Sequence, residues 1–104
     1  MATPPILSDE ARQAALAKAA EARRVRADAK HRLKDGELSF PELLDAADDD
    51  EIINNTKILT ILESLPGVGK VKARRTMEAI GIAESRRIRG LGDNQRRELL
   101  AAFG

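Results

Sequence analysis

The segment Leu65-Pro66-Gly67-Val68-Gly69-Lys70 sets two glycines around one apolar residue and follows them with a lysine. The chemistry this spacing offers is anion binding, by backbone amides beside a cation. Without Cβ atoms, Gly67 and Gly69 let the backbone come close to another surface. A turn that opens a helix also aims its unpaired N–H groups outward, where phosphate oxygens can accept them. Lys70 adds a cation beside those amides, Lys72, Arg74 and Arg75 continue the charge, and Val68 is the anchor to a core. The plainer reading is a helix connection that needs glycine for sterics alone. The P-loop spacing GxxxxGK[ST] is absent.

A second group, Arg86-Arg87-Ile88-Arg89, lies between Gly81 and Gly90 and packs three bidentate donors around one isoleucine. A third is spread along the N-terminal region. At about 100° per residue, Arg12, Arg23, Arg26, Lys30 and Lys34 fall on one stripe roughly 80° wide. Ala22, Val25, Ala29 and Leu33 fill the neighbouring arc. Such a stripe can follow a phosphate backbone while the helix docks on a domain; the plainer reading is solvated charge. A membrane-surface helix would carry a larger apolar and aromatic payload. The acidic run from Asp45 to Glu51 lacks the ligand spacing and central glycine of an EF-hand. It reads as helix-terminal acids that repel a polyanion.

These groups need helices to hold them. Met1 to Leu7, with Pro4-Pro5, reads as an extended terminus. Ser8 is the expected N-cap of a helix running to about Lys34, with Asp9 and Glu10 in its first turn. Such a helix is about 39 Å long. Its large apolar residues are only Leu16, Val25 and Leu33, too few to bury it, so it is expected to project as an arm docked at its C-terminal end. Asp35-Gly36 closes it. Ser39-Phe40-Pro41-Glu42 fits a capping box opening a short acidic helix. Ile58, Leu59, Ile61, Leu62 and Leu65 mark the apolar face of another, which Pro66 ends, while Asn54-Asn55 either cap it or interrupt a longer one. Ala73, Met77 and Ile80 line the helix after the glycine turn, and Gly81 stops it. Residues 82–90 form a turn or a single helical turn, and Leu99, Leu100 and Phe103 face inward from the last helix. No segment alternates with period two. The expected fold is all-α: a mobile terminus and basic helical arm over 1–34, then a small helical domain over 35–104.

Composition narrows the classes. The chain has 104 residues, no cysteine and one histidine, which excludes disulfide frameworks, thiolate-held metals and His-rich zinc sites. Phe40 and Phe103 are its only aromatics, too few for a base-stacking platform. No apolar run is long enough to span a bilayer, no signal-peptide pattern opens the sequence, and the thiol-free composition fits a cytoplasmic location. The net charge of +1 conceals segregation. Residues 1–34 hold eight bases against four acids, 35–56 hold eight acids and no base, and 57–104 hold ten bases against five acids. Two basic surfaces flank an acidic stretch, so an anionic partner is expected.

The run Ile61-Leu62-Glu63-Ser64-Leu65-Pro66-Gly67-Val68-Gly69-Lys70-Val71, then Met77-Glu78-Ala79-Ile80-Gly81-Ile82, then Ser85-Arg86-Arg87-Ile88-Arg89-Gly90-Leu91-Gly92, resembles the actinobacterial integration host factor family. The likeness extends from about Phe40 to Gly104, and in its basic helical character into the arm. It implies a helix-two-turns-helix module like that of ribosomal protein S13. It further implies a nucleoid-associated protein that binds duplex DNA with little sequence preference, bends or condenses it and supports phage integration by site-specific recombination. It carries DNA contacts onto Gly67, Val68, Gly69 and Lys70 and onto Arg86, Arg87 and Arg89. Lys72, Arg74, Arg23, Arg26 and Lys30 extend the candidate surface from charge and spacing.

No residue set suits bidentate base reading from a groove-bound helix, so phosphate contact and DNA shape are left to set preference. The alternative is an RNA-binding module of ribosomal type, because the same turns grip RNA phosphates. DNA glycosylases use related modules, but they add a base-flipping pocket and a nucleophile for which this chain has no room. The expectation is a non-enzyme without cofactor, metal or small-molecule substrate, monomeric when free, whose partner is double-stranded DNA.

Overall fold

Ser39 Oγ accepts from the Glu42 N–H at 3.2 Å, and Glu42 Oε1 accepts from the Ser39 N–H at 3.1 Å, closing the expected capping box. The Ser39 N–H first, and its hydroxyl second, hold the Glu42 carboxyl below the usual carboxylate range. This box opens one of six α-helices in the computed structural model, which describes residues 9–104. The Ser8 cap and the Pro4-Pro5 terminus lie outside the described residues. The helices are α1 (Asp9–Lys34), α2 (Phe40–Asp49), α3 (Glu51–Asn54), α4 (Ile58–Ser64), α5 (Gly69–Ile80) and α6 (Asp93–Phe103), with a 3₁₀ turn at Ile88–Gly90. Among the described residues there is no strand; Lys57 and Arg87 form one isolated antiparallel bridge.

The all-α expectation holds, and Asn54-Asn55 interrupt rather than cap. Asp50 Oδ1 accepts from the N–H groups of Ile52 and Ile53 at 2.9 and 3.3 Å, starting the one-turn helix α3. The chain then breaks at Asn55-Thr56-Lys57, and α4 starts without a side-chain cap. Bonds from a distant segment hold this link: Ile58 N–H donates to the Arg86 carbonyl and Ile88 N–H to the Thr56 carbonyl, both at 3.0 Å. That pairing is non-local, which is why sequence periodicity gives no sign of it.

Leu33, Leu43, Leu44, Ile58, Ile61, Leu62, Met77 and Leu99 are buried at the centre, each removing about 1.5–3 kcal/mol worth of apolar surface from water. Phe40 meets Phe103 edge to face, with ring centroids 6.3 Å apart, and joins α2 to α6. Arg96 clasps the same pair, donating to the Leu44 carbonyl at 3.1 Å and to Asp48 at 3.3 Å. Leu16 is 62% exposed, so the first half of α1 projects as expected. Its last turns dock, also as expected: Ala29 and Leu33 belong to the core, so packing continues across residue 34.

Candidate nucleic-acid interface

The first basic turn follows α4. Leu65, buried, accepts from the Val68 N–H at 3.2 Å, and half-buried Val68 packs on the core as its anchor. Gly67 and Gly69 have φ values of +73° and +69°, the left-handed region that penalises any side chain. A Cβ at either would meet no protein atom within 4 Å, so conformation, not internal crowding, requires glycine. The open space lies outside the chain. α5 begins at Gly69 with no side-chain cap, and Gly69, Lys70 and Val71 of its first turn are exposed. Lys72 is exposed one residue beyond Val71, itself a large apolar side chain left 65% exposed.

The second turn is zipped to the opposite end of α4 by the Ile58–Arg86 and Ile88–Thr56 bonds. Ile88 is buried beneath it. Arg86 and Arg87 each commit one guanidinium N–H inside: Arg86 Nη1 donates to the Gly90 carbonyl at 2.8 Å, and Arg87 Nη1 to the Asn55 carbonyl at 2.6 Å. A guanidinium has five donors, so each fork is oriented with others left over. Arg89 is exposed and free of such a bond among the described residues. α4 has seven residues, so the turns sit at the ends of a strut about 10 Å long.

The arm contributes unevenly. Lys30 and Lys34 line an open groove with Gly67, Gly69 and Lys70, which also holds His31, Thr60 and Glu63. The structure thus brings two arm lysines to the glycine turn, while Arg23 stands exposed further up α1. Arg26, on the same stripe, spends its Nε–H on Thr56 Oγ1 at 3.3 Å, beside α3, with its other donors left over. Arg74 pairs with Glu84 at 3.0 Å; both groups are exposed, so the pair contributes about 0–1 kcal/mol. Neither engagement has a local sequence signal, since each partner lies ten or more residues away.

Two residues went unrecognised in the sequence. Lys57 is exposed and bridged to Arg87, which adds a cation to the second turn. Thr56 is 4% exposed and is the one buried polar residue among those described. Neither belongs to a motif, so only the fold reveals them. The described residues include no group of three or more His, Cys, Asp or Glu side chains able to hold a metal ion, and no helix long and apolar enough to cross a membrane.

A family model described as the S13-like H2TH domain matches residues 33–103. The chain is 52% identical over 104 residues to the Integration host factor of Streptomyces coelicolor, covering 100% of this chain and 96% of that one. It is 52% identical over 100 residues to the Integration host factor of Mycobacterium tuberculosis, with 96% and 95% covered. A solved chain described as "Structure of sIHF bound to an 8bp palindromic DNA" superposes with a TM-score of 0.80 at 50% identity, covering 84% of this chain and 98% of that one.

Proposed function

Because the chain belongs to the actinobacterial integration host factor family, built on an S13-like H2TH domain, we propose that it is a nucleoid-associated architectural protein whose ligand is duplex DNA. One observation carries this reading: two basic turns are held at the two ends of one short helix, with arm lysines beside one of them. In the first turn, the backbone amides at Gly67, Gly69 and Lys70 donate to a phosphate, Val68 anchors them, and Lys70 and Lys72 add charge. In the second, Arg86, Arg87 and Arg89 present oriented forks, joined by Lys57. Lys30 extends the first contact along α1, and Arg23 extends it further.

Such contacts position a protein on DNA without reading bases. Two anchoring points at fixed separation on a rigid body favour duplexes that deform to meet both, which is the physical basis for bending, condensation and support of phage integration. The protein acts as a monomer when free, within the nucleoid, and the reading includes no catalytic step. An assay for base excision or strand cleavage is expected to give no product. The deciding experiment compares affinity for duplex DNA and duplex RNA of the same sequence at equal salt, with bend angles imaged on short DNA duplexes. Tighter binding to DNA, with bending, is expected; equal or tighter binding to RNA overturns the reading in favour of a ribosomal-type module.

A further inference from the structure

The Thr56 hydroxyl is used twice. It donates to the Ile52 carbonyl at 2.9 Å, and it accepts from Arg26 Nε at 3.3 Å. Its backbone is used twice as well, the N–H donating to the Ile53 carbonyl and the carbonyl accepting from Ile88, each at 3.0 Å. One buried residue therefore touches α3, the arm and the arginine turn together. Its neighbour Asn55 accepts from Arg87 at 2.6 Å, so the same three-residue link also orients a guanidinium of that turn.

This tether adds to the packing of α1 on α3 and α4. The buried residues of the arm are Ala29 and Leu33, with Val25 packed partly against the core, and upstream of Arg26 it relies on no other buried side chain. Arg23, the exposed interface cation upstream, lies three residues before Arg26, about 4.5 Å along the axis, so the position of Arg26 carries directly to it. Arg26 carries a charge, but its Nε–H is spent on an uncharged hydroxyl inside the molecule.

We propose that Thr56 is a positioning residue for the DNA interface: its hydroxyl, through Arg26, sets the direction of the arm relative to the arginine turn, so that both meet phosphates of one duplex. The inference rests on the duplex-DNA reading above. Arg26 then serves the interface by holding the arm through its Nε–H.

The test measures how duplex affinity varies with salt, because the slope counts phosphate contacts at about 0.9 each. Thr56→Val keeps the shape and every charge while removing the hydroxyl, and Thr56→Ser restores it. Thr56→Val is expected to remain helical by circular dichroism and to lose one to two contacts from the slope, about 0.9–1.8. Thr56→Ser is expected to match the wild type. A role confined to stability would lower the thermal midpoint and leave the slope of the folded protein unchanged, which overturns the inference. A steeper slope in Thr56→Val overturns it too, since a released Arg26 would then be reaching DNA itself. Should Thr56→Val fail to fold, Thr56→Ala removes the hydroxyl and likewise keeps every charge. It is expected to show the same loss of slope, and a wild-type slope there overturns the proposal. Wild-type protein that fails to bind duplex DNA at all would instead overturn the underlying reading.

Discussion

Arg86 lies across Gly90: its Nη1 donates to the Gly90 carbonyl at 2.8 Å, and a Cβ on residue 90 would stand 2.9 Å from Arg86 Cδ. Glycine is needed there for space. Gly90→Ala is therefore expected to displace the arginine rather than the backbone, leaving helix content and thermal midpoint near wild type. Duplex affinity should fall, with the salt slope lower by about 0.9 if one contact is lost. Titrations of the folded variant at several salt concentrations check this.

The three arginines are expected to separate by measurement. Arg89→Ala should weaken binding without affecting stability, because Arg89 makes no bond inside the described structure. Arg87→Ala also releases the Asn55 carbonyl and should cost about 1 kcal/mol in denaturant unfolding. Replacing Arg86, Arg87 and Arg89 together should flatten the salt slope by about 2.7. An unchanged slope would show that the turn meets no phosphate.

Gly69→Ala tests the backbone contact with no change in charge. At φ +69° an alanine costs about 1–2 kcal/mol of stability, so the folded fraction is measured first. Its Cβ enters the empty space beside the amides and should push a phosphate away, weakening binding about ten- to a hundredfold. Lys70→Ala should leave the fold intact and cost a salt-sensitive contact. Wild-type affinity of folded Gly69→Ala at two salt concentrations would falsify the amide-to-phosphate contact.

Truncation must respect the core. Removing residues 1–34 takes away Leu33, fully buried, and should unfold the domain, since deletion of such a side chain alone costs about 2–5 kcal/mol. Replacing Lys30 and Lys34 by alanine should preserve the thermal midpoint and reduce the slope by about 1.8. Matching slopes would return the arm lysines to the status of solvated charge.

Glu42 gives a pH signature. Its folded-state carboxyl lies below its unfolded value, so it adds stability above the unfolded value and loses it as pH falls through the folded one. Glu42→Gln should flatten the acid limb of the stability curve, while Ser39→Ala should cost about 1 kcal/mol near neutrality. Unfolding curves from neutral pH down through and below the ordinary carboxylate range measure both.

The readable parts of this fold were local ones. The Ser39–Glu42 box, the Pro66 stop and the apolar face of α4 are fixed within a few residues, so spacing announces them. The link Asn55-Thr56-Lys57 is fixed by residues 86–88 and by Arg26, and no local pattern reports such partners. The same limit governs the site. Composition locates the cations, but whether a fork faces outward depends on which carbonyl or carboxylate lies near it in space. Arg26 and Arg74 share the residue type of Arg89 and differ only in their neighbours.

The edge-to-face contact between Phe40 and Phe103 occupies both aromatic rings of the chain with each other. Phe40 is buried and Phe103 half-buried in that contact, so a nucleobase stacking on either ring would have to compete with the other. On the duplex-DNA reading its hold is on phosphates kept in register by pairing, so single-stranded DNA of the same sequence is expected to bind more weakly than the duplex at equal salt.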